Sequence, residues 1–148
     1  MKIEPVRKTI EVGCGQREAF RIFIDEVDTW WPLTTHSVAQ TQARSCVFEG
    51  RTGGTIHEID DDGSVHVWGT VTDWTPPDRV VFTWHPGRGA STAQEVELRF
   101  VPSGSGTRVE LEHRRWETLG DRAEEIRAGY RTGWDTVLAG FVARAGSV

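Results

Sequence analysis

The sequence is short of the residues on which small secreted and membrane proteins depend. Two cysteines, Cys14 and Cys46, stand in 148 residues. A chain of this length does not need stapling, so free thiols and a reducing compartment are expected. No apolar run approaches the roughly 18 to 20 residues that cross a bilayer, and the opening MKIEPVRKTIEV has no uninterrupted signal-peptide core. These absences argue against a membrane partner and make the cytoplasm the expected location. Positive charge is also scarce: 17 Lys and Arg stand against 22 Asp and Glu, for a net charge of −5 and a pI of about 5.5. That balance carries no electrostatic footprint for DNA or RNA. There is one tyrosine and one methionine, yet there are seven tryptophans. The skew concentrates buried area in indoles, and each brings an N–H that needs an acceptor or an opening.

What is present reads as one globular domain over residues 1–148, with 37% hydrophobic and 26% charged residues. Val6, Ile10 and Val12 alternate with charged neighbours as a half-buried strand that ends at Gly13. Ala19, Phe20, Phe23, Ile24 and Val27 form one stripe, predicting a short helix over about Gln16 to Glu26. Asp28 to Pro32 reads as a second helical turn, halted because proline disfavours helical geometry in the residue before it. From about Gln42 to Glu117 strands alternate with turn signals in a meander, with one wet and one buried face per strand, as in Val96, Leu98 and Phe100. Ile126, Tyr130, Trp134, Val137, Leu138 and Phe141 then predict a long helix over about Asp121 to Ala145, with Asp121 and Glu124 as a capping-box-like start. Gly129, Gly133 and Gly140 interrupt it, which points to close packing or to room left for a ligand. The fold class is α+β: a curved antiparallel sheet of about seven strands wrapped around a long C-terminal helix, with two short helices after the first strand.

Several short motifs occur in a telling order. They are Trp30-Trp31-Pro32-Leu33 with Thr35-His36-Ser37, Gly53-Gly54 with Glu58, Trp68-Gly69, Pro76-Pro77, Phe82-Thr83-Trp84, Glu95-Val96, Gly106-Thr107, Leu111-Glu112-His113 and Gly133-Trp134. Together they resemble bacterial members of the activator of heat-shock-protein-90 ATPase family, within the START-like superfamily of birch-pollen-allergen and polyketide-cyclase-like proteins (SRPBCC). The resemblance covers nearly the whole chain. It implies a helix-grip fold with a hydrophobic cavity between sheet and terminal helix, and a fold of this kind does not by itself fix a function.

Strand alternation turns His113 inward with Val109 and Leu111, and Glu58 inward with Ile56. His113 then reads either as a ligand partner or acid–base group, or as a buried histidine satisfied by a neighbour such as Glu58. Glu58 reads either as one pole of a cavity, paired with His113 or Arg115, or as an exposed strand residue. His36 sits at the presumed mouth, contacting ligand or capping a turn. Trp30, Trp31, Trp68, Trp84, Tyr130 and Trp134 form an aromatic set suited to lining an apolar pocket or to filling a core. His57, His66 and His85 have no metal-ligand spacing, and neither a metal nor another cofactor is expected. Cys46 suits a buried apolar position better than an activated thiol. The expected function is binding of a small apolar or aromatic ligand. The rivals are a cyclase- or hydratase-like enzyme using His113 and Glu58, and a chaperone-interacting module; homodimerisation through a sheet edge stays open.

Overall fold

The computed structural model describes residues 2–146. Seven strands run as β1 Val6–Val12, β2 Ala43–Phe48, β3 Thr55–Asp60, β4 Val65–Thr75, β5 Arg79–Trp84, β6 Gln94–Ser103 and β7 Gly106–Arg114. All neighbours are antiparallel, in the order β1-β7-β6-β5-β4-β3-β2, so the meander is closed off at its far end by the first strand. Three helices occupy the concave side: α1 Gln16–Asp25, α2 Val27–Trp30 and α3 Ala123–Ala145. This is the expected α+β helix-grip architecture.

Period-2 alternation places the core. Val6, His113, Val96, Phe82 and Val71 lie opposite one another across β1, β7, β6, β5 and β4, and all are buried. Leu111, Leu98 and Val80 form the next such row. The outer face of the same strands is ionic. Glu97 there receives Arg99 at 2.7 Å and Arg114 at 2.6 Å, and Arg114 also reaches Glu95 at 2.7 Å. A sheet with one such face needs cover on the other only.

Two helix boundaries differ from the sequence reading. The second short helix is Val27–Trp30 rather than Asp28 to Pro32, because Trp31 already has extended backbone (ψ 130) ahead of the proline. The long helix starts at Ala123, not Asp121, and no side chain caps it. A run of 3-10 turns, Trp116–Arg122, precedes it and is broken at Gly120, so Asp121 lies within that run and the capping box does not form.

The three glycines of α3 play different parts. A Cβ at Gly140 would stand 2.4 Å from the Trp30 carbonyl oxygen, so this glycine is what lets α3 cross the end of α2. At Gly133 a Cβ would meet only the edge of the His36 ring, 3.8 Å away, and at Gly129 it would meet nothing within 4 Å. Gly140→Ala is therefore expected to destabilise the protein by about 1 to 3 kcal/mol through overpacking against backbone. Gly129→Ala is expected to stabilise it by up to about 1 kcal/mol through helix propensity alone. Urea unfolding of the two variants measures both, and equal midpoints would refute this account of the crossing.

Candidate functional site

Between the segment after α2, the inner face of β4 and β5, and the middle of α3 lies a cavity of about 360 Å³. Its walls are indoles. Trp31 from the end of α2, Trp68 from β4, Trp84 from β5 and Trp134 from α3 form a closed cluster, with ring centroids 4.9 Å apart for Trp31 and Trp68, 5.5 Å for Trp84 and Trp134, and 5.7 Å for Trp68 and Trp84. Val137, Gly133 and Tyr130 complete the helix side. Exposed Thr35, Val38 and Gly87 form a rim. Apolar walls with a few polar groups are the usual make-up of a small-molecule pocket.

Of the predicted lining residues, Trp31, His36, Trp68, Trp84, Tyr130 and Trp134 meet at this cavity. Trp30, Glu58 and His113 are not among its lining residues. Trp30 packs instead between Phe23 and Phe141, with centroids 4.8 and 5.4 Å away, and its indole N–H donates to the Ile22 carbonyl. Glu58 is fully buried and accepts three hydrogen bonds: from the Val38 N–H at 2.6 Å, the Ala39 N–H at 2.9 Å and the Trp68 indole N–H at 2.6 Å. Its carboxylate thus pins the segment that carries His36 onto the sheet, and it bonds neither His113 nor Arg115. Bonds from several donors offset the cost of a buried charge.

His113 is also fully buried. The Trp134 indole donates to its Nδ1 at 2.9 Å, which leaves the proton of the neutral ring on Nε2, and Nε2 has no partner among the described residues. Trp116 stacks on the ring at 4.0 Å and donates its own N–H to the His113 carbonyl at 2.9 Å. Burial pushes the imidazole down to about 3, so it is neutral at pH 7. His36 is more accessible: it stands in the pocket wall with Nδ1 2.7 Å from the Thr35 hydroxyl. The Trp31 indole donates to the His36 carbonyl at 2.7 Å, which fixes the backbone beneath it.

The sequence reading missed Trp116, because its partner is the backbone of a strand residue three positions earlier and no periodicity marks it. It also missed Val38, Pro86 and Gly87 on the rim, which carry no chemical signature on their own. Elsewhere, His57, His66 and His85 bond Thr55, Asp60 and the Arg88 carbonyl respectively. Among the described residues no group of three His, Cys, Asp or Glu side chains is arranged to hold a metal ion. Both cysteines are free; burial pushes the Cys46 thiol up to about 12, far from an activated nucleophile.

Two outcomes are expected. Glu58→Ala leaves one buried and two part-buried donors without their acceptor and should cost about 3 kcal/mol in chemical denaturation, with Glu58→Gln, which keeps one acceptor, costing less. For His113, folded and unfolded rings are both neutral above about 6.5, and below it the unfolded chain takes up a proton that the folded one refuses until about 3. Stability should therefore fall through that window by up to about 1.4 kcal/mol per pH unit from this group. His113→Asn, which retains an acceptor for Trp134, should flatten the slope of urea stability against pH; an unchanged slope would refute the assignment.

Comparison with known proteins agrees with this geometry. The family described as Activator of Hsp90 ATPase homolog 1-like protein matches residues 16–146. Among solved structures, the anthrahydroquino-gamma-pyrone synthase Txn09 is 32% identical, with a TM-score of 0.64 over 96% of this chain and 97% of that one. CalC, a self-sacrificing resistance protein from Micromonospora echinospora, is 26% identical, with a TM-score of 0.72 over 96% and 94%. A dimeric Aha1 from Colwellia psychrerythraea, 17% identical, shares the fold with a TM-score of 0.69 over 95% and 94%. No curated protein sequence matches. With the family profile spanning most of its length, the chain belongs to the Activator of Hsp90 ATPase homolog 1-like family.

Proposed function

We propose that this protein binds a flat aromatic small molecule in its tryptophan-walled cavity. The observation that carries the reading is the closed cluster of Trp31, Trp68, Trp84 and Trp134 around about 360 Å³ of space, with an exposed rim through which a ligand enters. Indole faces favour offset stacking with aromatic rings, which gives orientation as well as buried area. The name of the 32% identical relative, an anthrahydroquino-gamma-pyrone synthase, supports a fused-ring aromatic as the ligand class. That it is a synthase also favours a second reading, in which the bound compound is converted as well as held. In that case His36, at the pocket wall, is the better placed imidazole, since Glu58 and His113 each serve a tryptophan and share no hydrogen bond.

The test is titration of the protein with 2-(hydroxymethyl)anthraquinone, followed by tryptophan quenching and by native mass spectrometry. Saturable quenching and a one-to-one adduct are expected in the wild type. Both should be lost in Gly133→Leu, whose side chain grows into the cavity beside His36 from a helix position that has room for it. No quenching and no adduct in the wild type would overturn the reading, and persistence of both in folded Gly133→Leu would place the ligand elsewhere.

A further inference from the structure

The fold itself uses nearly every polar side-chain atom on the cavity wall. The indole N–H groups of Trp31, Trp68, Trp84 and Trp134 go to the His36 carbonyl, the Glu58 carboxylate, the Tyr130 oxygen and the His113 ring. The Ser37 hydroxyl donates to the Leu33 carbonyl at 2.6 Å. Tyr130 keeps its own proton, but its oxygen is occupied by Trp84. His36 differs. Its Nδ1 is held by Thr35, whereas its Nε2 has no hydrogen-bond partner among the described residues and, on a half-buried ring, stays accessible.

That nitrogen is turned toward the hollow part of α3. A Cβ placed on Gly133 would lie 3.8 Å from the ring Cδ2 and 3.9 Å from Nε2, so this edge of the ring faces the space that the glycine leaves open. The backbone beneath is fixed. The His36 N–H donates to the Pro32 carbonyl at 2.9 Å, the Trp31 indole holds the His36 carbonyl at 2.7 Å, and Glu58 takes the N–H groups of Val38 and Ala39. A polar group held in this way loses little further freedom when a ligand binds.

Thr35 decides what Nε2 offers. The Pro32 carbonyl already accepts the N–H groups of His36 at 2.9 Å and of Thr35 at 3.3 Å, which occupy its two lone pairs. The Thr35 hydroxyl stands 3.4 Å from that oxygen and 2.7 Å from His36 Nδ1, so its proton goes to the ring. With Nδ1 accepting, the proton of the neutral imidazole is on Nε2. A protonated ring carries a proton there too, so the nitrogen facing the cavity is a donor in both states. None of the lining residues is a carboxylate or a carboxamide that could take it.

We propose that His36 Nε2, with Thr35 as its positioning residue, donates a hydrogen bond to a carbonyl oxygen of the aromatic compound in the cavity. The pocket thereby selects quinones and aryl ketones over ring systems of the same shape that lack the oxygen. This rests on the reading of the cavity as an aromatic-ligand pocket. Selection arises because a ligand without an acceptor strips water from Nε2 and returns no bond to it.

The experiment compares 2-(hydroxymethyl)anthraquinone with 2-(hydroxymethyl)anthracene, which keeps the three fused rings and the substituent but has no carbonyl. Equilibrium dialysis gives both affinities in the wild type and in variants shown by circular dichroism to be folded. The affinity ratio, quinone over anthracene, should fall by about fivefold in His36→Ala, the size of one net hydrogen bond. Thr35→Val, which frees the ring proton to move to Nδ1, should lower it by less, and His36→Gln, whose amide donates, should keep part of it. Should the quinone alone bind, its own affinity takes the place of the ratio. The infrared carbonyl band of the bound quinone should also lie at lower frequency in the wild type than in His36→Ala, as hydrogen bonding requires. A ratio and a band unchanged in His36→Ala refute the contact and leave the pocket standing, as does binding of the anthracene alone. A fall in Tyr130→Phe without one in His36→Ala moves the contact to Tyr130 and refutes the assignment. If neither compound binds, the pocket reading fails and this inference fails with it.

Discussion

An indole brought into a protein interior carries a donor that has to be met, and with seven tryptophans in the chain that requirement organises the whole concave side. Trp30 gives its N–H to Ile22, Trp31 to His36, Trp68 to Glu58, Trp84 to Tyr130, Trp116 to the backbone of His113 and Trp134 to the ring of the same histidine. Two of these bonds, from Trp84 to Tyr130 and from Trp134 to His113, tie α3 to the sheet. Two buried polar residues, Glu58 and His113, serve as acceptors for these indoles. Glu58 meets its indole and, with its other lone pairs, two backbone N–H groups of the following segment, so one carboxylate fixes both a wall and the rim of the cavity.

The cavity survives because of where bulk is withheld. α3 approaches α2 closely at Gly140, where backbone meets backbone, and the next residue, Phe141, packs the C-terminal half of the helix against Phe23 and Trp30. About two turns earlier the helix presents Gly133, and the space that a side chain would fill remains open beside His36. The same helix is thus packed tight at one level and hollow at another. The difference is made by which glycine faces backbone and which faces a ring.

The sheet was legible in the sequence because alternation is a local pattern with a fixed period, and each strand from Ala43 to Arg114 carries it. The start of α3 was not, since the 3-10 turns of Trp116–Arg122 place plausible capping residues in register without giving them a helix to cap. Six of the nine candidate site residues come together at the cavity, because large aromatic groups on inward positions have few other places to go. Alternation left Glu58 open between the inner face and an exposed position and turned His113 inward; both are buried, and their partners were not legible, since Trp68, Val38 and Trp134 reach them from the neighbouring strand, a loop and the terminal helix.

The indole cluster has an optical consequence. Five of the six pairs among Trp31, Trp68, Trp84 and Trp134 have centroids between 4.9 and 6.1 Å apart, at interplanar angles from 37° to 86°. At such separations the transition dipoles of neighbouring rings couple, and a fixed, skewed arrangement of coupled dipoles generates exciton bands of opposite sign in the near- and far-ultraviolet circular dichroism. The dichroic spectrum of this protein is therefore weighted toward the geometry of one small region, and a change there of a few degrees in ring orientation is written into a signal that secondary structure alone does not produce.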